Sequence, residues 1–414
     1  MKLHRNFRTT LVCGFLFCIA ATIAAPAQSV YFTTLATFDG TNGLLSFQPL
    51  VQASDGNIYG TTIQGGSNNF NSGTIFRLSP AGTLTTIYNF CSEQNCTDGT
   101  GPQGVIRPTN GFLYGTTIGG GAYNYGTVFA FSASGNLTTL YSFCAQSGCP
   151  DGGTPHMLVQ ASDGNFYGTT GEGGAYGSGT AFKITPTGDL TTLYSFCSQP
   201  NCVDGAGVGA MVQASDGNFY GTGSGGNYGN DCPYGCGTIF KMTPAGVLTT
   251  LYSFCAQSGC PDGATPDAPL MLASDGNLYG TTINGGAYGW GTVFKITLGG
   301  TLTTLVAFDG SDGGATYAGL MQATDGNLYS VSSNGGRYGY GTVYRVTLGG
   351  TLTTLHDFCA SGLPCADGYG PQAGLLQARD GSFYGTTTAG GYGNGVWGTA
   401  FRLGVVQVCA ICRP

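Results

Sequence analysis

Few residues in this chain can carry acid–base or nucleophilic chemistry. Beyond residue 27 the sequence holds two histidines, His156 and His356, and two glutamates, Glu93 and Glu172. His156 would suit a Ser-His-Asp arrangement, but no nucleophile elbow accompanies it. His356 stands where parallel segments carry Tyr88, Tyr141, Tyr194 and Tyr252, and reads as a substituted surface aromatic. A glycosidase would use two opposed carboxylates, commonly with Glu among them. Glu172 begins a long Gly-rich segment and is the one weak catalytic candidate. The Gly-rich segments offer no phosphate cradle, because no helix start follows them. Catalysis thus finds little support.

The other reactive groups are sulfurs. Beyond residue 27 fourteen cysteines fall into seven near neighbours. Cys91/Cys96, Cys144/Cys149, Cys197/Cys202 and Cys255/Cys260 share the spacing C-x4-C, and Cys232/Cys236, Cys359/Cys365 and Cys409/Cys412 vary it. An even count in an exported chain reads as disulfides. Zinc would need two pairs converging. The regular pairs recur 53–58 residues apart, so each most simply closes its own loop, and no metal or cofactor is expected. Cys409/Cys412 forms a CxxC outside any thioredoxin-like βαβ context. Of eighteen Asp, fourteen precede Gly and read as turn residues. Asp309-Gly310-Ser311-Asp312-Gly313 comes nearest to a calcium loop but lacks the length and Glu of an EF-hand.

Binding chemistry is better represented. Tyr123, Tyr125, Tyr176, Tyr228, Tyr288, Trp290, Tyr338, Tyr340, Tyr392 and Trp397 lie in Gly-, Asn- and Ser-rich segments. Such rings can form a flat, uncharged platform for sugars or peptides. The competing reading is packing against a neighbouring segment. Trp290 and Trp397 break the pattern of their counterparts Ser72, Tyr125, Ser178, Cys236 and Tyr340, which makes them the sharper candidates. Arg77, Lys183, Lys241, Lys295, Arg345 and Arg402 share one position, where snorkelling or pairing with a turn Asp is expected.

Composition limits what can hold these groups in place. The 414 residues include 75 Gly and only 8% charged side chains, with 24 Tyr and 24 Phe. A disordered chain would be charged and poor in aromatics. Collagen needs Gly at every third position. Helices are disfavoured because Gly costs about 1 kcal/mol per helical position. An all-β protein rich in turns remains. Lys2, Arg5 and Arg8, the apolar run from Leu11 to Ala25 and the small residues Ala25 and Ala27 form a Sec signal pattern, with cleavage expected before Gln28. The exported chain, extracellular, cell-surface or periplasmic, would hold ten bases against twenty acids. That argues against nucleic acid and anionic membranes. No further apolar run is long enough to span a bilayer, and a monomer is expected.

The phrase ASDGNxYGTT recurs with drift, its turn starting at Asp55, Asn110, Asp163, Asp216, Asp275, Asp325 and Asp380. Seven units of 50–59 residues each divide into four strand-like runs. Asp-Gly between apolar runs is a hairpin signal, and four antiparallel strands make a propeller blade. The last unit, 373–403, lacks the outer run TLTTLYSF. A matching run, 31–38, stands at the N-terminus. A ring closed by that strand protects the sheet edges. The expectation is an all-β, seven-bladed propeller over 28–404, after a signal peptide 1–27 and before a tail 405–414. Short turns would lie on one face, and the long aromatic and Cys-bearing loops on the other.

Asp275–Thr282 with Gly291–Thr304 carries the pattern DGNxYGTTxxGGxxxxGTVFKITxxGxLTT, which resembles the GloVer tandem repeat of bacterial choice-of-anchor surface proteins. The resemblance covers 31–403. It implies an exported, repeat-built protein and transfers no activity. The C-terminal stretch Val405–Pro414 offers no apolar anchor span. The combined reading is a scaffold binding carbohydrate or protein through its long-loop face. A polysaccharide-acting enzyme at the channel mouth and a purely structural envelope protein stand as alternatives.

Overall fold

The computed structural model describes residues 28–67, 72–226, 232, 235–391 and 397–407. They form seven antiparallel sheets and two single-turn 3-10 segments, Gln94–Cys96 and Pro200–Cys202. The sheets are the seven blades of a β-propeller. In blades 1 to 6 strand order follows the chain outward, and blade 3 carries one additional short strand, Gly153–Pro155.

Blade 7 is completed from the other end of the chain. Gln28–Thr37 pairs antiparallel with Thr399–Gln407, from Gln28 opposite Gln407 to Thr37 opposite Thr399. This strand begins three residues before the expected 31. Its partner runs past 404, so 405–407 of the expected tail are strand. Cys409, Cys412 and the signal segment 1–27 lie outside the described residues. No helix among the described residues is long and apolar enough to cross a membrane.

The repeat is faithful in fine detail. In blades 1 to 6 the outer ladder carries a β-bulge at one place, such as Ile75/Phe76 and Val293/Phe294, and the closing strand has its own between Thr34 and Ala36. Second and third strands such as Leu278–Thr282 and Thr127–Phe131 are buried along their whole length. Neighbouring blades cover both faces, and an unpaired ion there would be costly. That accounts for the low charge.

The core is a set of seams between blades. The Phe ending each outer strand packs against an aromatic of the next blade's third strand. The pairs are Phe90–Phe129, Phe143–Phe182, Phe196–Phe240, Phe254–Phe294, Phe308–Tyr344, Phe358–Phe401 and Phe38–Phe76, with centroids 5.3–5.5 Å apart. The series runs round the ring and includes the closing strand. Gly60 makes room for it, because a Cβ there would fall on the Phe76 ring.

The bases at the shared third-strand position behave as expected where they pair. Lys183 meets Asp163 at 3.3 Å and Lys241 meets Asp216 at 2.9 Å. Desolvation opposes ionisation of Asp163. The Asn165 amide and N–H, the Tyr167 hydroxyl and the Lys183 ammonium outweigh it and lower its pKa to about 2. Asp216 is lowered likewise against desolvation, chiefly by Lys241 and Asn218. A lowered carboxylate stabilises the fold above its unfolded pKa of about 4 and ceases to do so as pH falls through the folded value. Melting temperature should therefore fall on acidification from about pH 4 to about 2. Asp163→Asn with Asp216→Asn should flatten that fall modestly, because water screens half-exposed pairs to under about 1 kcal/mol each. An unchanged acid profile in the double variant would refute the assignment.

Candidate functional site: the channel mouth on the long-loop face

Antiparallel blades send alternate connections to opposite faces. One face has the tight Asp-Gly turns. Their carboxylates accept the hydroxyl of a Tyr on the following strand, as in Asp55–Tyr59 at 2.9 Å and Asp325–Tyr329 at 2.8 Å. Blade 2 replaces the pair with Asn110 donating to Tyr114. Asp275 raises Tyr279 in the same way, after desolvation, well above the usual phenol range.

The other face carries the cysteine loops, and here the Asp residues do more than turn the chain. Asp98, Asp151, Asp204 and Asp262 each accept the hydroxyl of an outer-strand Tyr: Tyr88, Tyr141, Tyr194 and Tyr252, at 2.8–2.9 Å. They also accept backbone N–H groups of the adjoining Cys loop, from Ser92, Cys144, Ser198 and Cys255. His356 takes the Tyr role in blade 6, with Nε2 3.0 Å from Asp367, and its ring stacks on Phe32 of the closing strand at 3.8 Å. It is a half-buried seam residue rather than a plain surface aromatic. The two links without cysteine lack the Tyr, and Asp39 and Asp309 bond only their own loops. That co-occurrence of Cys pair and Tyr is present in the sequence and would have revealed the motif. Six disulfides close locally as expected: Cys91–Cys96, Cys144–Cys149, Cys197–Cys202, Cys232–Cys236, Cys255–Cys260 and Cys359–Cys365. The ten cysteines outside the 232–236 pair all take φ between 44° and 66°, which their small rings hold.

The aromatic candidates divide into two kinds. Tyr125, Trp290 and Tyr340 lie against the link into the next blade. A Cβ on Gly153 would meet Tyr125, one on Gly310 or Gly314 would meet Trp290, and Tyr340 packs edge-on to Tyr369. Their carbonyls accept N–H groups of that link from Thr154, Ala315 and Gly370. Trp397 is half-buried against the seam of blades 7 and 1. Both tryptophans thus pack against the neighbouring link or seam, although Trp290 keeps 42% of its surface exposed. Tyr123, Tyr176, Tyr288 and Tyr338, two positions earlier, are exposed by 40–66%. Tyr228 and Tyr392 lie outside the described residues. Glu172 ends the strand Phe166–Glu172, is exposed, and makes no ion pair among the described residues.

A cavity of about 670 Å³ opens where the links enter the innermost strands, so it belongs to the mouth of the channel on the long-loop face. All seven blades contribute to its wall. Four residues before the innermost strand stand Phe47, Pro155, Val208, Asp267, Tyr317 and Gln372 in blades 1 and 3 to 7, and one residue later Gln48, His156, Gly209, Ala268, Ala318 and Ala373. Gln103 serves blade 2 and is held 3.1 Å from Gln48. A few residues further on, six blades share Ala53, Ala161, Ala214, Ala273, Ala323 and Ala378. Of these, Phe47, Asp267, Tyr317 and Gln372 at the first position and Gln48, His156 and Gly209 at the second line the cavity, so differences between copies meet there.

The wall is neutral apart from one carboxylate. Asp267 keeps exposed surface yet is surrounded by the wall, and that desolvation raises its pKa. Among the described residues no Lys or Arg lines the cavity. Burial lowers the His156 pKa, and its Nε2 is shut off from solvent without a hydrogen-bond partner. Among the described residues no hydroxyl or carboxylate bonds that nitrogen. The wall residues were not foreseen as a site, although their disagreement between repeats was readable.

The Gloeobacter/Verrucomicrobia repeat model matches residues 14–232 and 265–408. No curated protein matches the sequence. The extracellular domain of a protein described as a hybrid two-component system from B. thetaiotaomicron superposes with TM-score 0.57 at 11% identity, over 89% of this chain and 39% of that one. PorZ, a bacterial surface component of the type-IX secretion system of Porphyromonas gingivalis, superposes with TM-score 0.53 at 13% identity, over 89% and 47%. The chain thus spans less than half the length of either, and the likeness is one of fold.

Proposed function

The chain belongs to the Gloeobacter/Verrucomicrobia repeat family, and from that premise we propose that it is an exported binding scaffold whose channel mouth receives a neutral, hydroxyl-rich ligand, a carbohydrate. The observation that carries this reading is the convergence of the repeat-breaking positions on one cavity. Phe47 and Tyr317 supply ring faces, and Gln48, Gln103 and Gln372 supply amide donors and acceptors. Apolar walls with a few placed polar groups are how small-molecule sites are built. The absence of a cation on the wall disfavours phosphate and carboxylate ligands. The exposed tyrosines of the same face extend the surface to a longer chain.

A glycan panel followed by calorimetry tests this. Tyr317→Ala and Gln372→Ala should each weaken the best ligand about tenfold or more, a hot-spot loss of roughly 1.4 kcal/mol or above. Tyr288→Ala should weaken only longer oligosaccharides. Binding that ignores both mouth variants but is lost with Tyr288→Ala would move the site out of the channel. A panel with no binder would leave the purely structural role standing instead.

A further inference from the structure

The sulfurs of Cys232, Cys236, Cys255 and Cys260 lie within 4.8 Å of one another. They belong to two connections of the long-loop face, the second-to-third loop of blade 4 and the link from blade 4 into blade 5. The first is an irregularity of the repeat: Gly221 to Gly237 spans sixteen positions where Gly280 to Gly291 spans eleven. The added length brings the additional cysteines. Among the described residues this is the one group of three or more Cys, His, Asp or Glu ligand atoms gathered so closely. Cys232, Cys236 and Cys260 are buried, and Ile239, Phe254 and Phe294 belong to the same apolar cluster.

We propose that these four cysteines form a tetrathiolate site for Zn²⁺ or another soft divalent ion, available once their two disulfides are reduced. Each of the two connections is then closed by its own sulfur–sulfur bond in one state, and the two are bridged across the seam of blades 4 and 5 by a metal in the other. The spacings C-x3-C and C-x4-C fall within those of structural zinc sites. A Zn–S bond of about 2.3 Å sets tetrahedral sulfurs about 3.8 Å apart. Each bonded pair opens toward that separation on reduction, and the wider contacts between pairs need to close by only about 1 Å, within reach of side-chain rotation. The apolar shell keeps water from the ion.

The electron balance is simple. Two molecules of a dithiol reductant deliver four electrons and four protons, and each becomes a cyclic disulfide. The two protein disulfides become four thiols. Zn²⁺ then binds as four protons leave, so affinity rises with pH.

The full chain, reduced anaerobically by a dithiol that is then removed, is titrated with Co²⁺ and Zn²⁺. One equivalent of Co²⁺ should give a tetrahedral thiolate spectrum that Zn²⁺ displaces. Cys232→Ser with Cys236→Ser should weaken the ion at least about a hundredfold. Cys144→Ser with Cys149→Ser, a pair with no sulfur neighbours, should leave it unchanged. The first variant should fold, because blades 3 and 5 carry no such pair in that loop; circular dichroism checks it. The same spectrum in both variants, or none in the folded wild type, overturns the proposal. So does a reduced wild-type chain that unfolds and is not rescued by Zn²⁺.

Discussion

A chain lacking residues 28–38 should fail to form a stable ring. The loss removes the whole hydrogen-bonded partner of Thr399–Gln407 and opens the one blade that depends on both ends of the chain. It also strips two seams. Phe38, fully buried, leaves Phe76 of blade 1 without its ring partner, and Phe32 no longer packs on Phe401 and His356. Phe38→Ala alone should cost about 3–5 kcal/mol, the usual loss for a buried Phe. The deletion should cost more, and its exposed edge should template association. Size-exclusion chromatography and thermal unfolding would report oligomers and a broad, low transition. A peptide of sequence 28–38 added in trans should recover part of the cooperativity. A monomeric deletion variant melting within a few degrees of the parent would show that the ring does not need this closure.

That closure was legible because it is a matter of counting. A run resembling Thr301–Phe308 is missing after Leu403 and present before Asp39, and Asp-Gly turns every 50–59 residues set the blade boundaries. Local features follow from local chemistry: six cysteine pairs close rings of five to seven residues, and Lys183 and Lys241 reach the turn Asp of their own blades. What the sequence hid depends on the ring. Phe47, Gln103, Asp267 and Tyr317 are 50 or more residues apart in the chain and meet only because seven links enter one channel. Cys232 and Cys260 belong to different connections, and nothing in a count of pairs brings them together. Trp290 is the opposite case. A large ring in place of a small residue suggested a ligand, yet the space it fills is left by Gly310 and Gly314 of the next link. Breaks in a repeat meet in space only where the ring brings the breaking positions together.

The repeated Asp after each outer strand reads, within its own link, as a turn residue. Its partner lies ten residues back, before the Cys loop, so only a comparison between links, which shows Tyr and Cys pair occurring together, announces it. Asp204 is fully buried and accepts the Tyr194 hydroxyl at 2.8 Å, the Ser198 N–H and hydroxyl at 2.8 Å each, and the Gln199 N–H at 3.3 Å. Asp204→Ala would leave several donors without an acceptor, and each unsatisfied buried group costs about 1–3 kcal/mol. Allowing for partial rescue by water in the cavity so formed, a loss of about 3 kcal/mol or more in chemical denaturation is expected. The damage should be local first: the Cys197–Cys202 loop should exchange its amide hydrogens faster and its disulfide should be reduced sooner than Cys144–Cys149 of the same variant. Asp309→Ala, in a link with neither Cys nor Tyr, should leave the melting temperature nearly unchanged, because Asp309 serves only its own exposed turn. Equal effects of the two substitutions would mean that the carboxylate acts as a turn residue in every blade. Unequal effects would mean that the disulfide loops of the long-loop face are positioned by a buried carboxylate, with the sulfur bond as the second restraint.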